Sequence, residues 1–341
     1  MTSLPSSPSL PETARPAAEV LEWGRALVEP ALREAVGSLP EAVRLITGYH
    51  LGWWDADGNP VGSGGKALRP TLALLAAQAV GGRAEDAVAA AVAVELVHDF
   101  SLLHDDVMDG DETRRHRPSA WRVFGTGPAI LTGDVLLALA VETLSASGAP
   151  TRVLTTAVLD LLNGQNLDMS FETRDDVLLS ECVAMAVGKT GALIRCACSL
   201  GAGAGGGTPD QVAAFALFGE HLGLAFQHMD DLLGIWGDTA ETGKPTYSDL
   251  LNRKKSLPVV AALTAGTPES QALRDLYCGP SDFDPAEAAA LIEAAGGRAW
   301  SQDRLLQLRN QSLATLQSVA CAPRPLAELT TLADLVIART R

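Results

Sequence analysis

The stretch Val94–Pro118, VELVHDFSLLHDDVMDGDETRRHRP, holds the densest set of residues able to do chemistry. On an α-helix turning about 100° per residue, His98, Ser101, Asp105 and Asp109 fall in one narrow arc, with Asp106 at its edge. Val97, Leu102, Leu103, Val107 and Met108 cover much of the remaining surface. Carboxylates set side by side and again four residues on repel by roughly a few tenths of a kcal/mol per pair, so the arrangement calls for a cation. A hard divalent metal is the cation that carboxylate oxygens prefer. The plain alternative is a solvated acidic helix face.

A second acidic site follows in GLAFQHMDDLLGIWGD, at the end of the helix expected from Pro209, where Glu220 just before this stretch and Gly223, Gln227, Asp230, Asp231 and Gly234 within it share a helix face and the glycines let a backbone or ligand come close. Two helices that each end in paired aspartates could hold metal ions between them; otherwise they are two unrelated acidic helix ends. Basic residues interleave with these sites. SGGKALRP places Lys66 and Arg69 after glycines at a helix start, where backbone N–H groups favour an anion. Arg114 and Arg115 follow the first acidic site, GKTG offers Lys189 and Thr190, and TGKPTYSDLLNRKKS offers Lys244, Lys254 and Lys255. Each alone reads as an ordinary solvated charge. Together they pair carboxylates for metals with cations for phosphate oxygens.

The elements that must position these residues are helices. Apolar residues recur at helical spacing almost throughout, and no strict alternation lasts long enough for a strand. The pattern predicts helices over 16–36, 40–51, 68–80, 84–109, 119–125, 128–147, 150–173, 177–202, 209–237, 254–265, 268–278, 285–296, 298–318 and 325–339, stopped mostly by Gly or Pro. With 341 residues, 47% hydrophobic, the chain can bury a large core, and no internal boundary shows. Residues 1–15 read as a flexible tail without the features of a signal peptide, and 16–341 as one all-helical domain. A net charge of −15 speaks against a nucleic-acid partner. Five cysteines, with no CxxC pair, predict reduced thiols rather than disulfides or zinc. Apolar runs such as 70–81 look too short to span a bilayer, so the expectation is a soluble, cytoplasmic protein.

With these motifs in this order, the chain resembles the trans-type polyprenyl (isoprenyl) diphosphate synthases, most of all short-chain geranylgeranyl diphosphate synthases. The likeness covers roughly residues 60–260. It implies an all-α single large helical bundle around a central cavity, the isoprenoid synthase type I fold, and a homodimer. It implies magnesium, about three ions per site, with DDVMD supplying Asp105 and Asp109 as direct ligands, Asp106 beside them, and Asp230, Asp231 and Asp249 on the second rim. Gly234 stands where the family's second motif usually has a third aspartate, a departure that leaves the number of ligands from this helix open.

The resemblance also assigns the cations. Lys66, Arg69, His98 and Arg115 match the pocket for the diphosphate of isopentenyl diphosphate. Arg114, Lys189, Lys244 and Lys254 match residues that bind an allylic diphosphate, with Thr190 and Gln227 beside the reacting carbons. Gln165 and Asp168, in GQNLD, match a polar pair that steadies the lysines. The implied chemistry is loss of pyrophosphate from the allylic substrate, attack by the isopentenyl double bond on the resulting cation, and loss of a proton to the released pyrophosphate.

Product length depends on how deep the tail grows beside the first aspartate helix. Ser101, one turn before Asp105, is small and opens that path. Phe100 lies about 7.5 Å back along the axis and on an ideal wheel points away from Asp105, so its place as the tunnel floor rests on the resemblance. A twenty-carbon product is expected first and a fifteen-carbon one second. A terpene cyclase of the same fold would not need an isopentenyl site, and a regulatory subunit would usually lack intact aspartate motifs.

Overall fold

The computed structural model describes residues 14–62, 65, 67–238, 246–277, 279 and 283–338. Lys66, Lys244 and residues 1–13 of the expected tail lie outside them. The chain folds into helices α1 (Ala17–Gly37), α2 (Glu41–Leu51), α3 (Leu68–Ala79), α4 (Val88–Met108), α5 (Ala120–Phe124), α6 (Thr126–Ala146), α7 (Thr151–Phe171), α8 (Leu179–Ala186), α9 (Ala192–Ala204) and α10 (Pro209–Trp236). Shorter helices at Ser248–Leu251, Leu257–Leu263, Pro268–Tyr277 and Pro285–Ala294 follow, then two long ones, Gly297–Gln317 and Pro323–Ala338.

Boundaries follow local chemistry. α10 begins at Pro209, whose missing N–H costs nothing at a first helical position, behind Thr208, whose hydroxyl accepts from the Gln211 backbone N–H while Gln211 Oε1 accepts from Thr208 N–H. Two features depart from the helical expectation. The segment predicted as one helix over 177–202 is interrupted by a π-helical turn at Val187–Gly191, and residues 113–118 form a two-residue-strand hairpin. Its strands, β1 (Thr113–Arg114) and β2 (Arg117–Pro118), pair antiparallel around Arg115 and His116, both at positive φ (51° and 62°) as a tight hairpin turn requires.

α4 lies along α6, α10 along α9 and Gly297–Gln317, and α3 against α9 and α4. One core gathers Leu74, Val97, Leu136, Leu154 and Leu193; a second gathers Leu72, Phe215, Phe218, Leu222 and Leu332. Between them the walls of α3, α4, α7, α9, α10 and the π turn enclose a cavity. The described cysteines Cys182, Cys196 and Cys198 are buried and Cys321 partly so, all unpaired. The expectation that no apolar segment could span a bilayer needs correcting. Ala84–Met108, Thr126–Ala146 and Leu179–Ala204 are long and apolar enough to cross a membrane, because helical packing also demands long apolar faces. In the first and third, 61% of the apolar window is buried in the bundle, against 39% in α6.

Candidate active site

A cavity of about 380 Å³ is lined by Asp105 from α4 and Asp230 from α10, so the two acidic rims face one space. Asp105 and Asp106 sit in the last turn of α4, where the helix dipole disfavours negative charge, so opposing cations or metal stabilise them there. The cavity supplies cations: Arg69, Arg114, Arg115, Lys189 and Lys254 line it too. Asp109 ends α4 at the exposed rim. Its charge acts on Lys254, as do those of Asp249, Asp168 and Asp231.

Within each pair the two carboxylates are held differently. Asp106 is 1% exposed and turns inward, accepting from Arg114 Nε at 2.7 Å. Asp231 is also buried; its Oδ1 accepts from Gln227 Nε2 at 2.7 Å and its Oδ2 from the Leu257 backbone N–H at 2.8 Å. Both were expected among the metal ligands; Asp106 is turned to Arg114, while Asp231 lines the cavity with both of its oxygens hydrogen-bonded. Burial raises Asp105 to about 6, against the pull of Lys189; burial and the Asp249 charge raise Asp231 to about 7. Asp249 packs against Gly234, where a Cβ would lie 2.2 Å from its Oδ2. The expected third aspartate is absent from the motif because another carboxylate already fills its place.

Lys189 projects from the π turn and donates to Asp168 Oδ2 at 2.6 Å. Burial lowers its pKa, but Asp168 and Asp105 outweigh that and raise it overall. The turn fits because Gly164 of α7 has no side chain: a Cβ there would be 2.2 Å from the Lys189 nitrogen. Thr190 donates to Gln227 Oε1. Gln165, expected to steady a lysine, instead lines the cavity with neither amide atom hydrogen-bonded, so Asp168 carries that task alone. Lys255 lies elsewhere, over the Tyr277 ring. Deeper in, Ser101, Leu102, Leu161, Met185 and Leu193 make the wall. Phe100, expected as a floor, is packed in the core edge-on to His104, while its neighbour Ser101 faces the cavity.

A second cavity, about 780 Å³, shares Arg69, His98, Arg114, Arg115 and Phe226 with the first. The hairpin that carries Arg114 and Arg115 is clamped to the end of α2: Arg117 donates to the Trp54 carbonyl at 3.0 Å, and the Tyr49 hydroxyl donates to Pro118 O at 2.7 Å. Arg69 Nη1 lies 3.1 Å from His98 Nε2. A guanidinium only donates, so Nε2 accepts and the proton sits on Nδ1. Burial, then Arg69 and Arg115, holds His98 well below the usual imidazole range, so it is neutral. Glu95 and His50 also line this cavity, and Asp99 is buried beside His50 at 3.5 Å. Sequence reasoning missed all three. The signal was there in Glu95 and Asp99, ionisable residues inside the otherwise apolar run VAAAVAVELVHDF.

The residues present fit magnesium. The donor set is hard oxygen, with carboxylates of Asp105 and Asp230 brought by two helices to one cavity. Among the described residues no three Asp, Glu, His or Cys side chains gather into a ready-made metal site. Ions held by these carboxylates therefore need further oxygens, which the phosphates of a bound substrate can provide.

The family described as "Polyprenyl synthetase" matches residues 58–295. The chain is 41% identical over 348 residues to the (2E,6E)-farnesyl diphosphate synthase of Mycobacterium tuberculosis, covering 98% of this chain and 97% of that protein. It is 46% identical over 288 residues to the geranylgeranyl diphosphate synthase of the same organism, covering 82% of each. The crystal structure of a polyprenyl synthetase from Streptomyces coelicolor A3(2) superposes with a TM-score of 0.89 at 49% identity, over 94% of this chain and 99% of that one. A geranylgeranyl pyrophosphate synthase from Corynebacterium glutamicum, solved with isoprenyl diphosphate and magnesium, gives 0.79 at 27% identity, over 95% and 99%. Two aspartate rims and a ring of cations around one cavity are thus matched by likeness along nearly the whole length, and the chain belongs to the polyprenyl synthetase family.

Proposed function

We propose that the chain is a prenyltransferase that condenses isopentenyl diphosphate head-to-tail with an allylic diphosphate (dimethylallyl, geranyl or farnesyl), with geranylgeranyl diphosphate as its main product. The observation that carries this is the pair of joined cavities. One holds carboxylates from both rims, and the next, joined to it through Arg69, His98, Arg114 and Arg115, holds none of the paired aspartates. A cyclase working on one diphosphate has no use for the second.

In this reading Asp105, Asp109 and Asp230, with Asp249 behind, hold about three magnesium ions together with the allylic diphosphate. When bound, the metal neutralises charge on the departing pyrophosphate. Arg114, Lys189 and Lys254, together with Lys244, grip the same phosphates, and preorganised cations of this kind supply most of the electrostatic stabilisation. Asp106 and Asp168 keep Arg114 and Lys189 aimed. Thr190 and Gln227, locked to each other and to Asp231, present fixed dipoles to the allylic cation. Lys66, Arg69, Arg115 and the Nδ1–H of His98 bind the isopentenyl diphosphate so that its double bond meets that cation. The allylic C1–O bond breaks, a C–C bond forms, and the released pyrophosphate takes the proton.

The twenty-carbon assignment is supported by Ser101, which leaves the wall below Asp105 open. The likeness to a farnesyl synthase over nearly the full chain supports fifteen carbons as the second reading. Incubating the protein with magnesium, isopentenyl diphosphate and dimethylallyl diphosphate and measuring product length separates them: C20, C15, a cyclic hydrocarbon, or no extension, the last of which would remove the whole reading. We place the enzyme in the cytoplasm as a homodimer. Its buried, unpaired cysteines fit a reducing compartment, and the half-covered apolar α6 fits a partner copy.

A further inference from the structure

Arg25 belongs to none of the motifs, yet it reaches the isopentenyl half-site from α1. Its Nη2 donates to the Gly65 carbonyl at 2.7 Å. The Arg115 guanidinium lies close beside Gly65, its Nη2 3.1 Å from where a Cβ would stand. Arg25, Gly65, Arg69, Glu95, His98 and Arg115 all line the larger cavity. The backbone that brings Arg25 here is tightly seated. The preceding residue, Gly24, meets α3 so closely that a Cβ would fall 2.0 Å from Thr71 Oγ1, and that hydroxyl donates to the Ala67 carbonyl at 2.7 Å. α1 is therefore docked on the first turn of the helix that carries Arg69.

Charge completes the arrangement. Glu95, which lines the same cavity, feels Arg69, Arg115 and Arg25 together. Arg25 Nε is buried without a hydrogen-bond partner, so the protein does not saturate this fork. An arginine can hold a carbonyl with one nitrogen while its delocalised charge and remaining donors stay in the cavity wall; a lysine has one point charge for both.

We propose that Arg25 is a positioning residue of the isopentenyl half-site: by gripping Gly65, beside which the Arg115 guanidinium lies, and by anchoring α1 on the start of α3, it keeps Arg69 and Arg115 converged on a single diphosphate. The inference rests on the prenyltransferase reading above and adds to it a residue that touches the loop rather than the substrate.

The test is steady-state kinetics on the full chain with magnesium, comparing wild type, Arg25→Met and Arg25→Lys, alongside thermal melts. Losing a charge-assisted hydrogen bond predicts a rise of about tenfold in KM for isopentenyl diphosphate in Arg25→Met. KM for geranyl diphosphate stays within about twofold and the melting temperature is nearly unchanged. Arg25→Lys, which keeps charge and stem, rises about threefold and covers the case in which Arg25→Met does not fold. Equal shifts in both KM values, or a lowered melting temperature with both KM values unchanged, would overturn the proposal. Wild type that extends no chain would instead overturn the prenyltransferase reading, which keeps the two failures apart.

Discussion

At Asp105–Asp106 the roughly 100° between neighbours on a helix sends one carboxylate to the cavity and the other into the protein, whereas Asp230 and Asp231 both line the cavity and Asp231 has its two oxygens tied to Gln227 and Leu257. The two members should therefore fail differently. Asp230→Asn removes a charge from the reacting space and is expected to lower kcat by about a hundredfold or more while leaving the melting temperature alone. Asp231→Asn puts an amide N–H against either the Leu257 N–H or the Gln227 amide, and is expected to cost about 1–3 kcal/mol in urea unfolding. If Asp230→Asn alone unfolds the protein, the division of roles is wrong. Gly234 makes a sharper case. Restoring a third aspartate there would look like a repair of the motif, but even its Cβ would collide with the Asp249 carboxylate. Gly234→Asp is expected to lower activity at least tenfold, with Gly234→Ala also impaired, since an Asp249 shifted from the second rim no longer faces Lys254.

α4 concentrates these effects in one element, because it presents Glu95, His98, Ser101 and Asp105 to the two cavities over three turns. Ser101→Phe places a ring in the wall below Asp105 and is expected to shorten the main product by at least one five-carbon unit; an unchanged chromatogram would remove Ser101 as the depth control. Burial, reinforced by Asp99, raises Glu95 to about 7 despite Arg69, Arg115 and Arg25. The folded protein then holds a proton that the unfolded chain gives up near its ordinary 4.5, so this group's contribution worsens as pH rises from 4.5 to 7. Glu95→Gln should shrink the loss of unfolding free energy between pH 5 and pH 8, by on the order of 3 kcal/mol at most. The helices themselves were legible in sequence, α4 and α10 to within a few residues, because apolar spacing and Gly or Pro stops carry that information. The π turn and the hairpin were not. Two-residue strands have no alternation to detect, and Arg115 and His116 adopt positive φ without the glycine or asparagine that usually announces it. The motif cations were legible by type and order. That Asp106 turns to Arg114 while Asp105 lines the cavity, and that Gln165 stands apart from Lys189, depended on how segments distant in sequence pack.

For the whole molecule, the acidic balance and the cationic cavities divide the surface from the site. Cations focused inside a chain of net charge −15 draw in diphosphates while the exterior stays acidic. The exterior is not uniformly polar, however. α6 has only 39% of its apolar window buried and exposes Leu131 at 64%, and the neighbouring α7 exposes Leu159 at 67% and Leu162 at 43%. Apolar residues gathered on one helix pair would cost free energy in water, and a two-fold partner using the same patch would cover both copies at once. α6 also lies along α4, the helix that carries Asp105, so a partner seated on it would stiffen the wall of the active site from behind. Leu131→Glu with Leu159→Glu places like charges opposite each other across such a contact. The double variant is expected to sediment as a monomer where the parent sediments as a dimer, and to lose activity on dilution, while its helical circular dichroism stays the same. A parent chain that is monomeric at micromolar concentration, or a variant that still dimerises, would show that this apolar face serves something other than a second copy.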